Sequence, residues 1–374
     1  MTPTRTRAAL ITLAALLFQL LAVTAPANAC GCGAMVPRTG ERITVDEETS
    51  ALRWDGRTEQ IVMRLAVHGD GHDVAWVMPV PHRATVKLGD PGLFTALAGA
   101  TAPELRTRHY FWPRTGDWPF DGGNGDGAAA GAPAPSAGSG VGVVGRERLG
   151  PFDVARLTAT DPHALAGWLD DHGFALPARL DRALRPYVDQ GWEYVAIRLA
   201  PTAGDGTALT GRLDPLHLTF ASERPVYPMR LSRLARTAQH LDLYVLADHR
   251  MEPRSAIGGG APRVTFAGKV TDTSGPLAEL ATGAPYLTAY AQDFPTPSRI
   301  DADHTLRRAA DDTPYRQVEY ENELLTVGPD LPLWLLTVLG TTAAALTTLL
   351  LTVRARRRRP VARPAPVRTP PPLV

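Results

Sequence analysis

The chain has 374 residues, 44% of them hydrophobic, and a formal net charge of +1. That balance is ordinary for a globular protein and excludes the broad basic surface a nucleic-acid binder needs, so no nucleic-acid partner is expected. With 34 Gly and 34 Pro, the chain should turn often.

Arg5 and Arg7 precede an apolar stretch from Ala8 to Val23, and Ala27-Asn28-Ala29 follows as a small-x-small site. This order reads as a cleaved secretory signal peptide over residues 1–29. Cys30, the first mature residue, and Cys32 are the only cysteines. Outside the cytoplasm they should oxidise, which makes them the candidate disulfide. A Cys-x-Cys ring is so small that closing it removes little unfolded-chain entropy. Metal binding or redox chemistry at the same pair therefore stays open.

Residues 30–113 read as strands. Ile61, Met63, Leu65 and Val67 alternate with Val62, Arg64 and Ala66, a period of two. Trp54-Asp55-Gly56-Arg57 marks a tight turn before them. Gly69-Asp70-Gly71 turns the chain into a second apolar run, where Val74, Trp76 and Met78 share a face. Pro79 and Pro81 are expected to end that strand, because proline cannot donate to a ladder. Residues 91–97 suit a short helix. His68, Asp70, His72 and Asp73 have metal-ligand chemistry, but turn residues of this kind are usually solvated, and no metal is assigned.

Residues 114–148 are rich in Gly, Ala, Pro and Ser and lack apolar surface to offset ordering entropy, so they read as a flexible segment. It divides an extracytoplasmic domain, 30–330, into parts 30–113 and 149–325. Tyr110, Trp112 and Trp118 border it and form the candidate aromatic binding patch, suited to sugar rings.

A helical segment near 161–190 follows. Asp161 suits an N-cap, Pro162 the first turn and Gly173 the left-handed terminus, with Leu165, Trp168 and Leu169 on one face. Leu180, Leu184 and Val188 line up in a second helix that Pro186 should kink or end. Strands are expected at 192–199, 216–221, 241–247 and 263–267.

Residues 331–353 are uncharged and mostly apolar. At about 1.5 Å per residue they reach about 34 Å, enough to cross a hydrocarbon core of about 30 Å. Trp334 suits the outer interface, and Arg354, Arg356, Arg357, Arg358 and Arg359 supply the positive-inside signal. The proline-rich residues 354–374 then form a basic cytoplasmic tail. The expected fold class is α+β, with an antiparallel β-rich ectodomain in two parts, the helical segment near 161–190 and one C-terminal transmembrane helix. The expected location is the cell membrane, single-pass, N-terminal domain outside, with the lipid bilayer as partner through 331–353.

Several stretches also resemble an uncharacterised bacterial family, domain of unknown function 2330. They are Cys30-Gly-Cys32 with Gly40-Glu41-Arg42-Ile43, Ala75-Trp76-Val77-Met78-Pro79-Val80-Pro81, and Trp168-Leu169 with Gly173-Phe174-Ala175-Leu176-Pro177. Tyr187-Val188, Gly191-Trp192-Glu193-Tyr194-Val195-Ala196 and Pro225-Val226-Tyr227-Pro228-Met229-Arg230-Leu231-Ser232 continue the pattern. The resemblance implies a secreted or membrane-anchored domain, in this chain of the actinobacterial, membrane-anchored type, and brings no catalytic residues.

No nucleophile elbow, phosphate loop or dinucleotide fingerprint is present, so no catalytic residue and no cofactor is assigned. The leading expectation is a binding or interaction module for an envelope protein or glycan. The alternatives are an envelope hydrolase assembled from scattered Asp and His (His82, His109, His163, His172, His217, His240, His249 and His304 are candidates) and a metal or redox module using Cys30 and Cys32.

Overall fold

The structure is a computed structural model and describes residues 28–30, 33–117, 148–149, 152–157, 162–199, 211–272, 274–328 and 331–358. These fall into two units. The first holds the described residues up to Glu104 and from 148 to Gln317; the second holds 105–117 and 318–358.

In chain order the elements are β1 (Asn28–Cys30), β2 (Gly33–Pro37), β3 (Ile43–Trp54), β4 (Thr58–Gly69), β5 (Val74–Val80), β6 (Thr85–Leu88), α1 (Leu93–Thr101) and β7 (Glu104–Tyr110). Then come β8 (Arg148–Leu149), β9 (Phe152–Leu157), α2 (Pro162–Asp171), α3 (Ala178–Val188), β10 (Glu193–Leu199), β11 (Gly211–Arg212), β12 (Leu216–Ala221) and β13 (Val226–Tyr227). They are followed by β14 (Gln239–Ala247), β15 (Met251–Pro253), β16 (Arg263–Lys269), α4 (Gly275–Leu280), β17 (Tyr286–Phe294), β18 (His304–Arg308) and β19 (Tyr315–Arg316). The last are β20 (Val318–Leu324), β21 (Thr326–Val327), β22 (Leu331–Pro332) and α5 (Leu333–Arg357).

The first unit is a four-layer sandwich. One sheet runs β1-β2-β5-β10-β9-β8, antiparallel throughout. The facing sheet runs β19-β16-β17-β14-β3-β4-β12-β6, with β11 added to β4. Its one parallel pairing is β3 with β14. Between the sheets lie Met35, Trp76, Met78 and Ile197 from the first and Leu52, Ile61, Met63, Leu65 and Leu243 from the second. Helices α2 and α3 cover the outer face of the first sheet, where Leu165, Leu169, Leu180 and Leu184 meet Ala75, Val77 and Ala196. Helices α1 and α4 cover the outer face of the second, where Leu93, Phe94 and Leu277 meet Val62, Leu246 and Leu287. The class is α+β, with the helical segment near 161–190 in place.

Local chemistry explains the strands. The β3–β4 turn closes because the Asp55 carboxylate accepts the Arg57 and Thr58 amides, at 3.1 and 2.8 Å, while Gly56 takes φ +97°. Strand β4 sends Ile61, Met63, Leu65 and Val67 inward, as period two requires. Strand β5 is apolar at every position because both faces are covered: Val74, Trp76, Met78 and Val80 face the partner sheet, Ala75 and Val77 the helices.

One sequence expectation changes. Pro79 does not end β5, which continues to Val80 with Pro79 opposite Tyr194. Among the described residues the β2 register reaches β5 at Val77, and Pro79 is paired with β10. Pro186 lies inside α3, which ends at Val188. Asp161 and residues 118–147 lie outside the described residues.

In the second unit β7 pairs with β20, and β21 pairs with β22. Helix α5, 25 residues, is long and apolar enough to cross a membrane. Its threonines are compatible with that, because Thr341, Thr342, Thr347 and Thr348 each donate their hydroxyl to the carbonyl four residues back, at 2.7–2.8 Å.

Candidate functional site

The polar groups buried between the sheets gather where β3, β13 and β18 meet. Strand β3 presents Glu48, Ser50 and Leu52 on one face, so its period-two pattern carries two polar residues inward. The Tyr227 hydroxyl donates to the Glu48 carboxylate and lies 2.6 Å from the Ser50 hydroxyl, and all three are buried. Strand β4 adds Glu59, two positions before Ile61 on the same face and fully buried. Burial lifts its carboxyl well above the usual range; bonds from the Val226 amide and Ser222 pull the other way and lose.

Asp303, just before β18, is the knot beside this region. Its Oδ1 accepts the Tyr187 hydroxyl at 2.6 Å, the Met229 amide at 2.8 Å and the Arg230 amide at 3.1 Å; Oδ2 lies 3.1 Å from the Arg230 guanidinium. His304, next in sequence, is 1% exposed, and burial pushes its imidazole down to about 4. These groups hold the small sheet β13-β18-β15 in place. Glu48, Ser50, Tyr227 and Asp303 are satisfied by neighbours in the core, whereas Glu59 Oε1 and His304 Nδ1 are buried with no hydrogen-bond partner among the described residues.

Glu59 yields a measurable consequence. A carboxyl whose folded pKa is raised favours the folded state fully only below its ordinary value of 4.5, and that contribution disappears as pH climbs through the folded pKa. Glu59→Gln in the full chain should therefore raise the melting temperature at pH 7, with the gap closing towards pH 4. Circular-dichroism melts at the two pH values measure it; an unchanged gap would mean Glu59 is ionised inside.

The turn with metal-type residues is engaged elsewhere. Asp73 accepts from Arg38 (Nε, 3.0 Å) and Arg198 (Nε, 2.8 Å); burial raises its carboxyl, but these two bonds outweigh burial and hold it below the usual range. Asp70 accepts the Arg42 amide at 2.6 Å, and His72 lies 3.6 Å from Glu41. Gly69 is required there, since a Cβ would sit 2.1 Å from the Arg42 carbonyl oxygen. Among the described residues, no group of three or more His, Cys, Asp or Glu gathers as metal ligands.

Two surface hollows have the form of ligand sites. One, about 510 Å³, is walled by β15, the start of β16 and the segments 254–262 and 309–311. Arg250, Glu252, Arg254 and Asp311 put both signs of charge round a surface of Ala256, Ala261, Pro262, Val264 and Tyr290. The other, about 290 Å³, is lined by Gln60, Lys87, Asp90, His217 and Glu279 among others. There His217 Nε2 lies 2.9 Å from Gln60 Oε1, and burial together with Lys87 lowers its imidazole to about 4. His240 has both ring nitrogens engaged, by Asp293 at 2.6 Å and Asp242 at 3.2 Å, which leaves none to take a proton from a nucleophile. His249 meets Asp312 at 2.8 Å.

Of the aromatic patch, Tyr110 ends β7 with its hydroxyl donated to the Asp117 carboxylate, at 2.8 and 2.9 Å to the two oxygens. Its pKa is raised by that bond first, then by desolvation and the Asp117 charge. Trp112 is 63% exposed and packs edge-to-face on Phe111, centroids 5.1 Å apart. The structure thus brings Tyr110 and Trp112 into one loop, while Trp118 lies outside the described residues. So do Cys32 and the side chain of Cys30, so the pair is not seen together. Sequence reasoning missed Asp303, Glu59 and the 510 Å³ hollow, and held His304 only as one of several scattered histidines; only Glu59 and Glu48 had a signal, as acidic residues on the inward phase of apolar strands.

No curated protein matches the chain. Among solved structures, one titled "Crystal structure of baculovirus P35" aligns over 74% of this chain and 98% of that chain, at 10% identity and a TM-score of 0.32, a similarity too low to carry any inference. The family model described as an uncharacterized protein conserved in bacteria, domain of unknown function 2330, matches residues 26–307, which include the four-layer sandwich up to β18, and the chain belongs to that family.

Proposed function

We propose that this is a single-pass protein of the cell membrane whose exported domain, residues 30–330, is a binding module for an envelope protein or glycan. Helix α5 anchors it, and the Arg354–Arg358 block at the helix end keeps the tail in the cytoplasm. The observation that carries the binding reading is the 510 Å³ hollow. Its size falls in the range of about 300–1,000 Å³ common to ligand sites, and it joins apolar surface to a few charges of both signs. Arg254, exposed at its rim, is the natural first contact for an acidic or hydroxyl-rich ligand. Full chain carrying Arg254→Glu should lose about tenfold in capture by immobilised wall glycan or by solubilised envelope proteins, the worth of one charge-assisted contact. Equal capture by both forms removes the hollow from the reading.

A hydrolase reading has one observation in its favour, the neutral His217 beside Lys87, Asp90 and Glu279 in the second hollow. Turnover of a wall-derived substrate that disappears in His217→Ala would replace the binding reading with this one.

A further inference from the structure

The second unit places the aromatic loop next to the start of the membrane helix. The Leu325 amide donates to the Tyr110 carbonyl at 2.9 Å, and the Leu333 amide, first in α5, donates to the Leu325 carbonyl at 2.9 Å. Two steps of about 4.8 Å, the ordinary spacing of hydrogen-bonded strands, separate Tyr110 from the helix start. The small pair β21–β22 fixes that approach, with Thr326 opposite Pro332 and Val327 opposite Leu331.

The same end of the unit is unusually apolar for a water-facing surface. Trp112, Val327 and Leu331 are exposed at 63%, 49% and 43%. The loop is built rather than loose: Asp117 takes the Tyr110 hydroxyl and the Arg114 amide (2.7 Å), and the Arg114 guanidinium stacks 4.1 Å over the Tyr110 ring. Farther up the ribbon Arg108 lies 4.1 Å over Tyr320. Indole and phenol rings with arginine beside them, level with the first turn of a spanning helix, have the composition of an interfacial belt.

We propose that the loop from Tyr110 to Asp117 is a second membrane contact, with Phe111 and Trp112 seated at headgroup level in the same bilayer that α5 crosses. The loop and the helix then hold the bilayer at two points, and Arg114 faces the lipid phosphates. This rests on the membrane-anchored reading above.

The test uses the mature full chain in phosphatidylcholine–phosphatidylglycerol vesicles whose lipids carry bromine either near the glycerol end of the acyl chain or near its methyl end. The Trp112 signal is the difference between wild type and Trp112→Phe; Trp334→Phe gives the corresponding signal of the helix. The Trp112 component should be quenched about twofold more by shallow than by deep bromines, as headgroup-level indoles are. Flotation of the vesicles after alkali treatment is scored alongside. A chain that fails to float overturns the anchored reading and this inference with it. A chain that floats with Trp112 unquenched overturns this inference alone and leaves the loop to a glycan or protein.

Discussion

Replacing Asp303 by Ala should destabilise the protein by about 3–5 kcal/mol, the range for removing one partner of a buried ionic network. Four donors lose their common acceptor: the Tyr187 hydroxyl from α3, the amides of Met229 and Arg230 after β13, and the Arg230 guanidinium. Tyr187 and Met229 are almost fully buried, so their orphaned donors find no water, and each costs about 1–3 kcal/mol. Arg230, about a quarter exposed, re-solvates in part and keeps the total from rising further. Asp303→Asn retains one acceptor oxygen and should fall between the two. Guanidinium unfolding of the full chain in detergent measures both variants; an Asp303→Ala loss under about 1 kcal/mol would show that the knot is not connected to the cooperative core.

The second large effect is acid sensitivity at His304. Its imidazole is held at about 4 by burial, against 6.5 in the open chain. Lowering the pH through 6.5 therefore lets the unfolded chain take up a proton that the folded chain refuses until about 4. Stability is lost across that window, by about 3 kcal/mol at 1.36 kcal/mol per unit. His217, lowered in the same way, adds to the loss, while Glu59, raised, opposes it over the upper part of the window. Comparison with His304→Gln isolates the residue. Between pH 7 and pH 4 the variant's stability should fall less steeply than wild type by about that amount. Identical slopes would mean that His304 is already protonated in the core.

Strand faces were the most legible part of the chain. Ile61 to Val67 and Val74 to Met78 declare their inward sides by spacing alone, and β12 runs from Leu216 to Ala221 as the pattern indicates. Strand β17 was not legible. Tyr-Leu-Thr-Ala-Tyr-Ala-Gln is buried on both faces, so no polar side marks its period. The pairing of β3 with β14 leaves no trace in sequence, because backbone hydrogen bonds carry no residue signature. At the candidate sites, residue type draws attention to Cys30, Cys32, Trp112 and Trp118. It cannot show that Asp117 captures Tyr110 or that Asp301-Ala-Asp303-His304, polar enough for a surface loop, turns two of its side chains into the core.

The parallel seam between β3 and β14 also sets a timetable. A ribosome or an export channel delivers Ile43–Trp54 long before Gln239–Ala247, yet each is the other's neighbour in the middle of the same sheet. Until the later strand emerges, β3 is an open edge with unpaired backbone groups and Ile43, Val45 and Leu52 uncovered, a template for pairing with another chain. A cell making this protein must shelter that edge for most of the time the chain is being delivered.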